Sequence, residues 1–342
     1  MKQPRGLRYS APVSSIFAVT LPFFALVLCG YLAARRGVLP DSAIPGLNGY
    51  VLYFALPCML FRFGAGTPIF DLLNPVVLAV YVTAALLIVF FTIAVTLNER
   101  VGMKDAAFGA LVGAFPNSGF MGVPLLVALL GSAAAGPVIS SILADFFITS
   151  TLCLALAQGA GAAAAGGGGD AAGASARQAA LRALRAALGN PLPWSIALGA
   201  VFSVTGLALP GPLAKVVEML AASASPVALF TIGVVLWRSS RHAHTRTPVQ
   251  DYLPVALIKL FVHPLLVFLL GGAAMALGAP LSKFQLVVLT LAAALPSASN
   301  VSLLTERHGA DSGRVARIIM SSTVLAFLSF SGLAWLFGVN PG

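Results

Sequence analysis

Two short stretches place hydrogen-bonding side chains inside runs otherwise apolar enough to cross a bilayer: "GAFPNSGFMGVPLL" (113–126) and "LPSASNVSLL" (295–304). In the first, Asn117 and Ser118 follow Pro116, with Gly119, Gly122 and Pro124 close behind; in the second, Ser297, Ser299 and Asn300 follow Pro296. Proline removes an amide donor and disfavours helix at the residue before it. Asn and Ser are good N-caps, so a helix can restart after each break. A restarted half-helix points its free amides, and roughly half a positive charge, at whatever lies ahead. Two such ends aimed at one point suit an anion, above all a carboxylate or a phosphate. Asn117 and Asn300 would add amide donors there, and Ser118, Ser297 and Ser299 hydroxyls. Gly119 and Gly122 would give room for close approach. For either stretch alone, the competing reading is a kinked helix packed through small residues, with no ligand.

Three ionisable residues also lie within apolar runs: Asp145, Lys259 and His263. A charge at the centre of a membrane helix costs about 2.5–3.5 kcal/mol on insertion scales, so each needs a partner or a task. His263 follows Lys259 by four residues and shares its helical face. One reading is proton coupling through Asp145 or His263, or attraction of an anion by Lys259. The other is an ion pair between Asp145 and Lys259 that ties helices together. Serine hydrolysis would need a base beside Ser118 or Ser299. His263 and Lys259 are the only candidates in the apolar runs and belong to no recognisable motif, so no catalytic residue and no enzyme is expected. Cys29, Cys58 and Cys153 stand singly, and His242 and His244 lack a third ligand, so no metal site is expected. No Gly–x4–Gly–Lys–Ser/Thr loop occurs. No cofactor is expected, with the proton and sodium left open as coupling ions.

The elements that must hold these residues follow from composition. Of 342 residues, 59% are hydrophobic and only 9% charged, with a mean hydropathy of +0.96. Soluble chains carry roughly 25% charged residues, so this is an integral membrane protein. The net charge of +10 does not indicate nucleic acid, because Lys and Arg fall between apolar runs rather than on one soluble face. Runs of about 20 apolar residues predict ten spans, near 13–34, 44–61, 75–97, 104–130, 137–158, 191–209, 212–236, 252–277, 281–305 and 315–338. The first is longer than the roughly 7–15 residues of a signal-peptide core. Between spans five and six, residues 159–190 begin as a Gly/Ala stretch that predicts a flexible linker. Its end sets Leu181, Leu184 and Leu188 on one stripe beside Arg177, Arg182 and Arg185. That fits either an interfacial helix or a solvated linker. With the N-terminus outside, thirteen of the twenty Lys and Arg fall in inside loops, Arg314 among them, and six outside. Those six include Lys2, Arg5 and Arg8 of the N-terminal tail, which oppose the assignment; the asymmetry as a whole predicts both termini outside a bacterial inner membrane.

The two halves repeat one another. "GVLP" ending at Pro40 answers "LALP" ending at Pro210, and "ALPCMLF" around Pro57 answers "ASPVALF" around Pro226. "NPVVL" from Asn74 answers "LPVAL" from Leu253, and "AFPNSGF" answers "ALPSASN". The prolines are offset by 170, 169, 179 and 180 residues, in order. Five spans is an odd number, so the second half enters the membrane inverted, as in many secondary transporters. The expected fold is an all-α membrane protein of two inverted five-helix repeats, 1–158 and 191–342, joined by a cytoplasmic linker at 159–190. Helices 4 and 9 are broken and cross.

The motifs "FPNSGFMGVPL" and "LPSASNVSLL", on the fourth and ninth of ten spans, resemble the two crossover motifs of the auxin efflux carrier family. Asn117, Gly119, Gly122 and Pro124 match the first motif, Asn–x–Gly–x–x–Gly–x–Pro, and Pro296 and Asn300 match the second. The resemblance extends to "KLFVHPLL" (259–266) on span eight. It implies a scaffold bundle and a crossover-bearing transport bundle that move as an elevator. It also implies a small organic anion as substrate, with bacterial members similar to malate and malonate carriers. A sodium-coupled bile-acid-like symporter shares the architecture, and a membrane sensor would bind the same anion without turnover. The bilayer is the other expected partner, and so extensive an apolar surface also offers a face for a homodimer.

Overall fold

The computed structural model describes residues 13–72, 74–164, 169–242 and 247–341. Lys2, Arg5, Arg8, His244 and Arg246, which entered the charge and metal expectations, lie outside the described residues. The described chain is helical throughout, with one isolated β-bridge and no strand. In order it forms α1 (Val13–Arg35), α2 (Ala43–Gly66), α3 (Pro75–Thr96), α4 (Met103–Ala114), α5 (Ser118–Leu130) and α6 (Ser132–Ala160). Then follow α7 (Gly169–Leu188), α8 (Pro191–Thr205), α9 (Gly211–His242) and α10 (Val249–Ala276). The chain closes with α11 (Lys283–Ala293), α12 (Asn300–Arg307) and α13 (Ser312–Leu336).

Local chemistry sets where these helices start. The Asn74 side chain accepts from the amides of Val76 (3.0 Å) and Val77 (3.2 Å), with Pro75 opening α3. Asn190 caps α8 in the same way ahead of Pro191. Ser282 and Gln285 form a reciprocal capping box on α11. Large apolar side chains such as Phe90, Phe91, Leu265, Leu269 and Leu328 remain exposed on α3, α10 and α13. Helices apolar on their outer faces as well as their inner ones belong in a bilayer.

Seven helices are long and apolar enough to cross a membrane, or eight if α7 and α8, bent by 51°, count as one span. At the other positions where spans were expected, the helices are shorter. Proline breaks divide 103–130 and 283–307 into half-helices, and α8 has only 15 residues. The Gly/Ala stretch expected as a flexible linker is largely helical: the helix of α6 continues to Ala164 and α7 begins at Gly169. Alanine is the strongest helix former, and Ala179, Ala183 and Ala187 are buried on one side of α7, which packs against the end of α6.

Two helix pairs approach backbone to backbone. On α1 and α9, a Cβ on Gly30 would run into the Phe230 carbonyl oxygen, and one on Gly233 into that of Val27. On α2 and α8, a Cβ on Gly199 would lie 2.5 Å from the Phe61 carbonyl oxygen, and one on Gly64 3.0 Å from that of Ile196. Gly30 and Gly199, Phe61 and Phe230, Gly64 and Gly233, and Val27 and Ile196 are all separated by 169 residues. One contact therefore occurs twice, with its halves exchanged.

Four helices widen into π turns, at Val51–Ala55, Ser118–Gly122, Asp145–Thr149 and Ile258–Val262. Three precede a proline by two residues (Pro57, Pro124 and Pro264), whose missing amide leaves the preceding turn to find other partners. The turn at Asp145 has no such proline.

Candidate functional site

The breaks between α4 and α5 and between α11 and α12 meet inside the protein. Pro116 and Ser297 form the antiparallel bridge: the Asn117 amide donates to the Pro296 carbonyl (2.8 Å), and the Ala298 amide to the Phe115 carbonyl (3.0 Å). Unwound backbone is tolerated at membrane depth only where its polar groups are satisfied or face a cavity, and here each break satisfies the other. The Ser297 amide is taken by Ser322 Oγ on α13 (3.2 Å).

Beside the crossing lies a cavity of about 170 Å³. Asn117, Ser118 and Gly119 from one break and Ser299 and Asn300 from the other line it, together with Asp145; Phe115, Phe120, Phe146 and Leu303 give it apolar walls. The amides of Gly119 and Phe120, at the start of α5, and of Ser299 and Asn300, at the start of α12, make no hydrogen bond to any described residue. Ser118 Oγ is buried without a partner. The cavity thus collects two helix N-termini, four uncommitted amides and a free hydroxyl, the donor set for an anion.

The remaining residues of the two motifs divide by role. A Cβ on Gly119 would meet nothing within 4 Å, so Gly119 borders open space. On Gly122 it would come within 2.7 Å of Leu295 Cδ1, which makes Gly122 a packing glycine between the breaks. Pro116 and Pro296 end the first half-helices, and Pro124 sits at the start of the regular helix that follows the π turn. Ser297 is buried in the bridge, its Oγ without a partner, and does not line the cavity.

Asp145 is fully buried; its Oδ2 accepts from the Tyr81 hydroxyl (2.8 Å) and its Oδ1 from Thr149 Oγ1 (3.1 Å). Lys259 Nζ donates to the Ala293 carbonyl at the end of α11 (2.6 Å) and lies 3.3 Å from His263 Nδ1. His263 Nε2 is buried without a partner, and its ring lies 6.0 Å from that of Tyr81. The expected alternative of an Asp145–Lys259 ion pair is therefore not what the structure contains. Among the described residues the one ion pair within 4.0 Å joins Lys215 and Glu218 at the surface. Lys259 is held instead by the carbonyl that the break at Pro296 leaves exposed. Neither Lys259 nor His263 lines the cavity or bonds Ser118 or Ser299.

Sequence reasoning missed Tyr81, Thr149, Asn48 and Asn190, the last two on the cavity wall. A tyrosine inside an apolar span, whose hydroxyl needs a partner, was a usable signal. Arg314 was misplaced as a loop charge. It is buried on the first turn of α13, where Nε donates to the Asp251 carbonyl (2.7 Å) and Nη1 to the Asp105 carbonyl (2.8 Å). It thereby pins the starts of α4, α10 and α13 together.

The family described as membrane transport protein matches residues 15–334 of the chain. The chain belongs to the auxin efflux carrier family. This carrier is 29% identical over 327 residues to a protein of Rhizobium meliloti (strain 1021) named "Putative malonate transporter", covering 95% of this chain and 96% of that one. It is 27% identical over 316 residues to an "Uncharacterized transporter" of Methanothermobacter thermautotrophicus, covering 90% and 94% of the two chains. It is 23% identical over 322 residues to "Uncharacterized transporter YfdV" of Escherichia coli (strain K12), covering 93% and 95%. Membership sets aside the bile-acid-like alternative and the hydrolase: the chain is a multi-pass membrane transporter, not an enzyme.

Proposed function

We propose that this carrier is a secondary transporter of small mono- or dicarboxylates, of which malonate and malate are the first to test, and that it binds a carboxylate at the helix crossing. The observation that carries this reading is the convergence of four uncommitted amides, Ser118 Oγ and the side chains of Asn117 and Asn300 on one cavity. The malonate name of the Rhizobium relative supports the same substrate class. The recurrence of one glycine contact with a 169-residue offset supports ten spans arranged as two inverted repeats, 1–158 and 191–342, joined through 159–190. In this reading α1, α2, α8 and α9, locked by those glycines, form the scaffold, and the crossing rides with the helices around it as an elevator in the inner membrane. A homodimer built on the exposed apolar surface belongs to the same proposal.

Uptake of labelled malonate and malate into proteoliposomes tests it, with wild type set against Asn117→Ala and Asn300→Ala. A hydrogen bond to a charged group contributes about 1.5–3 kcal/mol, so each variant should lose roughly 10- to 100-fold in kcat/KM. Variants that fold and transport like wild type would remove the carboxylate from the crossing.

A further inference from the structure

The anion cavity contains a carboxylate of its own. Asp145 lines it beside Asn117 and Asn300, no cation among the described residues lies within 4.0 Å of it, and its two oxygens are held by hydroxyls that also accept. An ionised carboxylate beside a bound carboxylate would repel it, and two close carboxylates share a proton rather than both ionise. Among the described residues, no Lys or Arg lines the cavity to offset a second negative charge. The backbone is also particular at this point. The π turn at Asp145–Thr149 is the one that no proline explains; it is held by Ser150 Oγ bonding the Asp145 carbonyl, and Thr149 is turned back onto the carboxylate. Isolated π turns recur at functional positions.

We propose that Asp145 is the seat of a coupling proton that travels with the anion. This rests on the reading of the cavity as a carboxylate site. When the anion enters, an O–H bond forms at an Asp145 oxygen, the proton coming from water on the side of entry. The proton is shared with the substrate carboxylate during the crossing and returns to water on the far side, with no change in oxidation state. The groups facing Asp145 are few. α3 contributes Tyr81, which donates to it; the part of α6 after the π turn contributes Cys153, buried; the part before it contributes no titratable group, and the Arg side chains of α7 are exposed. α10 contributes Lys259, bound to the Ala293 carbonyl and to His263, and the His263 ring lies tilted beside that of Tyr81, 6.0 Å between centroids. Tyr81 thus stands between the carboxylate and the Lys259–His263 pair that holds the broken end of α11. This gives the proton a physical route to influence the crossing.

The test uses the full chain in proteoliposomes and two readouts. In the first, malonate is added to vesicles without a gradient and the internal and external pH are followed, in the presence and absence of sodium. Wild type should move protons together with malonate regardless of sodium, and an imposed inward proton gradient should speed uptake several-fold. Asp145→Asn should move none, and any uptake it retains should ignore the gradient. Malonate uptake by wild type without proton movement, or gradient-driven uptake by a folded Asp145→Asn, would overturn the proposal. The second readout needs no transport: the infrared difference spectrum between two pH values should contain a carboxyl band in wild type that is absent from Asp145→Asn and displaced in Tyr81→Phe. If malonate is not transported at all, the substrate reading fails. The spectrum still decides Asp145, and a wild-type spectrum equal to that of Asp145→Asn would reject its proton.

Discussion

Lys259 separates two roles that look alike in a sequence. A buried ammonium in an anion carrier invites the idea that it attracts the substrate, yet its Nζ lies 2.6 Å from the Ala293 carbonyl and it does not line the cavity. A cation at a helix C-terminus satisfies an orphan carbonyl and complements the dipole. Lys259→Met keeps the aliphatic stem and deletes that bond, leaving a buried acceptor whose loss costs about 1–3 kcal/mol. Lower thermal stability with KM for the anion within about twofold of wild type is expected, read by melting curves and transport kinetics. A tenfold rise in KM at unchanged melting temperature would give Lys259 the substrate role instead. Asn117, Ser118, Ser299 and Asn300 were legible because a proline followed by a good N-cap announces a restarted helix. The partners of Asp145 and Lys259 were not, because Tyr81, Thr149 and the Ala293 carbonyl come from helix register and from other spans. Arg314 misled for a related reason: in "RHGADSGRVAR" it reads as one more loop charge, and only three helix starts converging on it reveal its burial.

Helix positions followed from apolar runs and caps, and most expected spans begin within a few residues of an observed helix. The way the helices touch was hidden, because a glycine's task depends on what faces it. Gly30, Gly64, Gly199 and Gly233 let two helix pairs close to backbone distance, while Gly46 on α2 faces nothing within 4 Å. Adding one methyl therefore has opposite effects at these sites. Gly30→Ala or Gly233→Ala would drive a Cβ into a backbone carbonyl oxygen that no rotamer change can move, with a cost of about 1–3 kcal/mol or more as the pair separates. Gly46→Ala should gain up to about 1 kcal/mol from helix propensity alone. Melting temperatures in detergent, measured on all three variants, check the contrast. Equal shifts at Gly30 and Gly46 would mean that α1 and α9 are not in backbone contact.

On the scale of the whole molecule, charge and cavity point to the same side. Arg35 ends α1 and Arg36 follows it, Arg182 and Arg185 lie toward the end of α7, and Arg238 lies near the end of α9, all in segments expected at the cytoplasmic face. The cavity wall includes Asn48 near the start of α2, Asn190 just before α8 and Val235 near the end of α9, each within about a dozen residues of those arginines. Removing the buried Arg314 from the count leaves the asymmetry of inside over outside charge standing, because the other inside positions still outnumber the outside ones two to one. The conformation described is therefore expected to face the cytoplasm, with both termini on the opposite side. Asn190→Cys, in a background with Cys29, Cys58 and Cys153 replaced, should react with a membrane-impermeant maleimide added to inside-out vesicles but not to right-side-out ones. A C-terminal alkaline phosphatase fusion should be active while a fluorescent-protein fusion stays dark. If the fusions reverse but the cysteine still labels from the arginine-rich side, the molecule sits inverted and the cavity opens outward. If the cysteine labels from neither side although the fusions behave as expected, the cavity is closed at its Asn48–Asn190 rim, and the structure describes an occluded step of the cycle.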